Sequence, residues 1–301
     1  MHLYRFSYDM LGEAARTMDD ATHYYQAYVT AIEAIGQTAT SQKVEENPGI
    51  SIKLSALHPR YELAQHACIM KAVTPLLLAL AKLAKQYNIG LTVDAEEADR
   101  LDLSLDLIEA VFCDEALAGW EGFGLAVQAY QKRAPFVIDW LLALAKKQQK
   151  RLMVRLVKGA YWDAEIKWSQ VLGLVNYPVY TRKTATDVAY LACAKKLLAQ
   201  PSYFYPQFGT HNAYSVAAIM EMAGPQTDFE FQCLHGMGEA LYKHVVGSDT
   251  LNKPCRIYAP VGTHKELLGY LVRRLLENGA NSSFINRLAD PHTPISQMVI
   301  D

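Results

Sequence analysis

Short apolar, β-rich runs alternate with stretches of helical periodicity along almost the whole chain. The runs at 5–9, 50–55, 90–95, 123–129, 152–158, 204–209, 229–234 and 256–261 read as strands. Helical patterns lie between them, near 14–36, 62–87, 98–110, 135–149, 182–199, 213–222, 238–246 and 264–278. That alternation implies crossover helices and a parallel sheet. Eight strand–helix units in 301 residues fit a (β/α)8 barrel, with a doubly wound open sheet as the competitor. The open sheet is weakened because no GxGxxG opens a helix near the start, and Gly236-Met237-Gly238 serves a turn equally well. Polar stretches at 38–49 and 247–254 read as surface loops, and nothing splits the chain, so 1–301 is expected to form one barrel domain.

One strand does not read as ordinary core. Arg155 interrupts the apolar run Leu152-Met-Val-Arg-Leu-Val157. A guanidinium keeps its charge, and burying it unpaired is prohibitive, so an anionic or electron-rich partner must meet it. A structural ion pair would suffice; so would a binding site at the strand's C-terminal end. Lys158-Gly159-Ala160 follow, adding a second cation and a place for close backbone approach.

In a barrel, function gathers beyond the C-terminal strand ends. Those positions hold Glu13, Lys53, Asp94 with Glu96 and Glu97, Gln128, Arg155 and Lys158, Thr210-His211-Asn212, Gln232-Cys233, and Tyr258. Each has a plain alternative: residues 94–98 suit the acidic first turn of a helix, and Asn212 suits an N-cap. In the last helical pattern Leu267, Leu268, Leu271, Val272, Leu275 and Leu276 form one arc, opposite Tyr270, Arg273, Arg274 and Glu277. That second face is either solvated, with an Arg273–Glu277 pair, or laid over the barrel mouth to receive a carboxylate.

Composition narrows the chemistry. A net charge of -2 gives no electrostatic case for nucleic acid. The five cysteines are scattered without CxxC spacing, which suits reduced thiols in a cytosol-like compartment. No HxH, HExxH or GxSxG occurs, so neither a metal site nor a serine nucleophile is expected, while a Schiff base on Lys53 or Lys158 remains open. No apolar run approaches the about 18 residues of a membrane span. The longest, 72–81, is interrupted by Pro75, and the start shows no signal pattern, so a soluble chain is expected. The residues alone lead to a barrel with a cationic pocket for a small anionic ligand.

Several segments resemble one family closely. They are Ser51-Ile-Lys-Leu-Ser-Ala-Leu-His-Pro-Arg-Tyr61, Asp94-Ala-Glu-Glu-Ala-Asp-Arg100, Arg155-Leu-Val-Lys-Gly-Ala-Tyr-Trp162 and Tyr177-Pro-Val-Tyr-Thr-Arg-Lys183. Thr210-His-Asn212, Phe231-Gln-Cys-Leu-His-Gly-Met237, Cys255-Arg-Ile-Tyr-Ala-Pro-Val-Gly262 and Leu271-Val-Arg-Arg-Leu-Leu-Glu-Asn-Gly-Ala-Asn281 complete the set. The chain is similar in these to the proline dehydrogenase domain of bacterial bifunctional proline-utilisation flavoenzymes. The resemblance implies a (β/α)8 barrel with its last helix over the C-terminal mouth and FAD bound there. It places Arg155 beside the flavin ring, with Gln128 and Val157 touching it, and Lys158, Thr210 and His211 on the pyrophosphate. Gly159, Trp162, Arg182, Lys183, Asn212, Gln232, Cys233, Ser283 and Phe284 would line the remaining cofactor surface, and Glu277 the flavin side chain. Lys53, Arg273 and Arg274 would hold the carboxylate of L-proline; Ala160, Tyr161, Leu234 and Tyr258 would pack on its ring, and Asp94 would orient Lys53 or Tyr258. Glu13 would form a gate with Arg273. The implied reaction is hydride transfer from proline to flavin, yielding 1-pyrroline-5-carboxylate, with a membrane quinone as electron acceptor. Peripheral contact with the cytoplasmic membrane follows from that acceptor. Family members of this kind also carry a pyrroline-5-carboxylate dehydrogenase domain and sometimes a DNA-binding domain, neither of which this segment would contain.

Overall fold

The computed structural model describes residues 4–225, 228–263, 267–268 and 270–272. Eight parallel strands pair in chain order and close on themselves: β1 Tyr4–Met10, β2 Gly49–Ile52, β3 Gly90–Val93, β4 Phe123–Gln128, β5 Leu152–Val157, β6 Phe204–Gly209, β7 Glu230–Leu234 and β8 Cys255–Val261. The closing seam runs from Tyr4 beside Cys255 to Met10 beside Val261. Outside it lie α1 Met18–Gly36, α2 His66–Gln86, α3 Leu101–Phe112, α4 Ala134–Gln148, α5 Trp162–Val171, α6 Lys183–Leu198, α7 Ala213–Ala223 and α8 Glu239–Val246. The open sheet is thereby excluded, and the barrel expectation holds.

Local chemistry accounts for the boundaries. Thr17 and Asp20 form a capping box that starts α1 at 18 and not at 14. Ile69, Val73, Leu77, Leu80, Ala81 and Ala84 make the buried stripe of α2. Together with the preceding turn, Leu63–Gln86 is long and apolar enough to cross a membrane by length and composition, contrary to the sequence expectation. In the structure that apolar stripe packs on the barrel as the β2–β3 crossover.

Two differences from the sequence reading matter for the site. The β2 and β3 ladders end at Ile52 and Val93, and β5 ends at Val157, so Lys53, Asp94 and Lys158 stand just past the paired strands. An additional helix, α5, follows β5 and precedes α6. Periodicity misses it because its buried residues are Glu165 and Ser169, with Trp168 and Val171 exposed. Glu165 accepts from the Ala98 N–H at 2.7 Å, so α5 docks partly through a polar contact.

Apolar side chains fill the space between strands and helices, while the lower barrel interior is ionic. Glu230 Oε1 accepts from Arg256 Nε at 2.6 Å, Gln207 Nε2 at 2.8 Å and Gln232 Nε2 at 3.0 Å. Its Oε2 accepts from Arg256 Nη2 at 3.0 Å and Arg5 Nη1 at 3.1 Å. Arg256 also donates to the carbonyls of Glu45, Asn47 and Phe6, so its fork is fully used. Burial alone would raise the Glu230 pKa, but Arg256 and Arg5 hold it below the usual carboxylate range.

Glu230→Ala should lower stability in urea unfolding at pH 7 by about 3–5 kcal/mol, because Arg256 and Arg5 would be left buried and unpaired. A depressed folded pKa means the contribution is complete above the unfolded carboxylate pKa and lost as pH falls through the folded one. The gap between wild type and variant should therefore narrow below about pH 4. A variant as stable as wild type at pH 7 would remove this account of the barrel floor.

Candidate active site

A cavity of about 300 Å³ opens at the C-terminal ends of the strands. Lys53, Asp94, Gln128, Arg155, Val157, Lys158, Gly159, Ala160, Tyr161, Trp162, Lys183, Thr210, His211, Asn212, Gln232, Cys233, Leu234 and Tyr258 all line it. Residues expected from separate segments of the sequence thus meet on one wall. Tyr270 joins them and is buried, so the solvated alternative fails at this residue. Arg182 sits exposed at the N-cap of α6, outside the lining residues, and Glu13 lies between β1 and α1, half-buried. Arg273, Arg274, Glu277, Ser283 and Phe284 lie outside the described residues.

Arg155 finds its partners within the protein. Its Nη1 donates to Asp94 Oδ1 at 2.7 Å, Nε to Gln232 Oε1 at 2.8 Å and Nη2 to Ser7 Oγ at 3.2 Å. Its guanidinium carbon stands 4.9 Å from the centre of the Tyr258 ring. The structural ion pair is therefore present, and the same side chain lines the cavity.

Asp94 is the hub. Oδ2 accepts from the Tyr258 hydroxyl at 2.8 Å and from Lys53 Nζ at 3.2 Å. Lys53 Nζ also donates to Asp9 Oδ1 at 2.5 Å, so two of its three N–H donors are used and one remains for the cavity. Burial alone would lower the Lys53 pKa, but Tyr258, Asp9 and Asp94 raise it well above its ordinary value. A lysine held protonated is a poor nucleophile, which speaks against a Schiff base at this position. Burial likewise favours neutral Asp94, yet Lys53 and Arg155 pull its pKa down. Asp9 is raised, burial and the neighbouring Asp94 carboxylate outweighing Lys53 and the Tyr258 hydroxyl. The two carboxylates differ because both Lys53 and Arg155 stabilise charged Asp94, whereas Lys53 is the cation acting on Asp9.

Further lining residues come from the ends of β5 and β6 and the starts of α6 and α7. Lys158 pairs with Asp187 from α6. Asn212 caps α7, accepting from the Ser215 N–H at 3.1 Å, and His211 Nε2 accepts from the Leu234 N–H at 3.1 Å. Among the described lining residues, Lys53, Arg155, Lys158 and Lys183 face Asp9, Asp94 and Asp187, so this part of the cavity is close to charge-balanced. The cationic pocket expected from sequence is thus tempered by carboxylates. Asp9, Tyr130, Thr186 and Asp187 also line the cavity, beyond the residues to which the sequence points. Asp9 had a signal: Arg5, Ser7 and Asp9 alternate along β1, and a barrel turns one such face inward.

Comparison with known proteins agrees with this geometry. The model of the proline dehydrogenase family matches residues 1–287. The bifunctional protein PutA of Klebsiella aerogenes is 60% identical over 304 aligned residues, covering 99% of this chain and 23% of that protein. Proline dehydrogenase 1 of Bacillus subtilis is 26% identical over 92% of this chain and 79% of its own length. The crystal structure of Bradyrhizobium japonicum proline utilization A mutant D779W superposes with a TM-score of 0.94 at 57% identity, covering 98% of this chain and 30% of that one. This chain spans about a quarter of its bifunctional relatives. With one family model covering nearly the whole chain and the solved relatives sharing its barrel, the chain belongs to the proline dehydrogenase family.

Proposed function

We propose that this chain, as one barrel unit over 1–301, oxidises L-proline to 1-pyrroline-5-carboxylate, the first step of proline catabolism, with FAD in the barrel mouth. The observation that carries this reading is the convergence of Lys53, Asp94, Arg155 and Tyr258 on one cavity wall in a member of this family. The lining residues fit such a cofactor. Gly159 has φ +135°, and a Cβ there would lie 2.6 Å from the Tyr130 ring, so no side chain can stand between that ring and the cavity. Lys158, Thr210 and His211 suit the pyrophosphate, at the start of α7 where backbone N–H groups favour an anion. Arg155, Gln128 and Val157 suit the ring; Gly159, Trp162, Lys183, Asn212, Gln232 and Cys233 suit its remainder, and we extend this set to Arg182, Glu277, Ser283 and Phe284.

A flavin held by these residues would supply the hydride acceptor, at N5, for the C5 hydrogen of proline, with a membrane quinone as the onward electron acceptor in our reading. The protein's own residues bind and orient. Lys53 offers its third N–H to the substrate carboxylate, joined in our reading by Arg273 and Arg274. Asp94 and Asp9 keep Lys53 charged and fixed, and Asp94 holds the Tyr258 hydroxyl, presenting the ring edge to the substrate. Ala160, Tyr161 and Leu234 pack on the pyrrolidine, and Tyr270 helps exclude water above it. Fixing the carboxylate at several points sets the reacting C–H in near-attack geometry. Glu13 closes the entrance by pairing with Arg273. In this reading the chain works at the cytoplasmic face of the membrane, and a pyrroline-5-carboxylate dehydrogenase, as a further domain or a partner, consumes the product.

The purified protein should show flavin absorption near ~450 nm that bleaches anaerobically with L-proline. A colourless protein that does not oxidise proline when supplied with FAD would overturn the reading. Arg155→Met should lower both FAD retention and proline turnover by about tenfold or more, the scale of a lost charged hydrogen bond; unchanged values would separate this strand from the cofactor. Glu13→Gln should alter the KM for proline, and a variant with wild-type KM and kcat would dispose of the gate.

A further inference from the structure

The loop between β1 and α1, residues 11–17, carries Glu13 and is fastened to the chain just past β2. The Ala14 N–H donates to Ser55 Oγ at 2.9 Å, and the Ala15 N–H to the Ser55 carbonyl at 2.9 Å. Ala14 has φ +54°, a left-handed conformation that disfavours residues other than glycine, so the loop is held in a backbone it would not adopt freely. Ser55 is itself held from behind. Its hydroxyl donates to Glu96 Oε1, and its N–H to Glu96 Oε2 at 3.2 Å. The Glu96 carbonyl accepts from Gln128 Nε2 at 2.8 Å, which ties the same residue to the end of β4. Glu96 is buried beside a water-sized void of about 20 Å³ that Tyr61, Arg100 and Gln131 also line.

We propose that Glu96 is a positioning residue that, through Ser55, latches the 11–17 loop to the rim of the cavity. The latch is a property of the fold; only its effect on proline turnover rests on the proposed function.

Such a latch responds to pH. Burial pushes the Glu96 carboxyl up to about 7, against the opposing pull of Ser55 and Arg100. Arg100 Nη1 lies 3.5 Å from its Oε1, and Glu97 and Tyr61 are the other ionisable groups facing it among the described residues. Burial raises the Tyr61 phenol, so that ring stays neutral. Both Ser55 hydrogen bonds pull that pKa down, so the ionised carboxylate holds Ser55 more tightly than the neutral acid does. Proton loss therefore tightens the latch, which strengthens as pH rises through about 7.

Hydrogen exchange at the Ala14 amide tests this without requiring turnover. After correction for intrinsic rates, protection in the wild type should rise by about three- to tenfold between pH 6 and pH 8, the scale of a hydrogen bond gaining a charge. Glu96→Gln cannot titrate and should lose that rise. Ser55→Ala removes the acceptor, leaves Glu96 in place, and should lower protection at both pH values. The KM for proline should follow the same pH dependence in the wild type and lose it in Glu96→Gln. Equal pH dependence of exchange in the wild type and Glu96→Gln, or undiminished Ala14 protection in Ser55→Ala, would overturn the latch. A wild type that fails to oxidise proline would overturn the proposed function and leave the exchange result standing.

Discussion

Asp94 accepts a guanidinium from β5, an ammonium from the end of β2 and a phenol from β8 at the same time. Without that carboxylate, Arg155 and Lys53 would sit inside a low-dielectric barrel with too few anions to meet them, a cost no surrounding apolar contact could offset. With it, the charges become mutually supporting, and the side chains that shape the cavity lose the freedom to turn away. Asp94 has 9% relative exposure, so solvent screens these contacts weakly. The site is therefore rigid before any ligand enters, which is what preorganised binding requires.

That rigidity extends downward. Gln232 stands between two layers: its amide nitrogen donates to Glu230 in the barrel floor, and its oxygen accepts from Arg155 in the cavity wall. Glu230 thereby fixes which end of the amide faces the guanidinium. Two ionic clusters at different depths are joined by one neutral side chain, and a misplaced charge in either would be felt in the other.

The sequence made the barrel legible because strand-forming runs and amphipathic helices alternate with little interruption, and periodicity reports burial directly. It failed at α5 for the same reason: a helix that buries Glu165 and Ser169 has no apolar stripe to report. Strand ends were overextended at Lys53 and Asp94, where residue type continues the run but the backbone leaves the ladder. In the candidate site, Arg155 stood out as a charge among apolar neighbours, yet its partner did not. Asp94 is 61 residues away and reaches it only through barrel closure. Asp9 escaped notice because an alternating polar residue in a strand ordinarily faces water, whereas this face points into the barrel. Pairings of this kind are set by register across the ring of strands, which no local pattern encodes.

The floor carboxylate also bears on how the chain reaches this structure. Arg5 and Glu230 are 225 residues apart, and Arg256 reaches the Phe6 carbonyl across 250. Contacts this remote carry a large loop-closure entropy, and the full cluster cannot form on the ribosome until β8 has emerged. Strands β1 to β7 must wait, partly assembled, with one edge open on each side of the gap. Glu230 then gains Arg5 and Arg256 as β8 fits between β7 and β1. The same ion cluster that fills the floor thus makes ring closure a cooperative, late event, and leaves nascent or truncated chains with unpaired strand edges open to association.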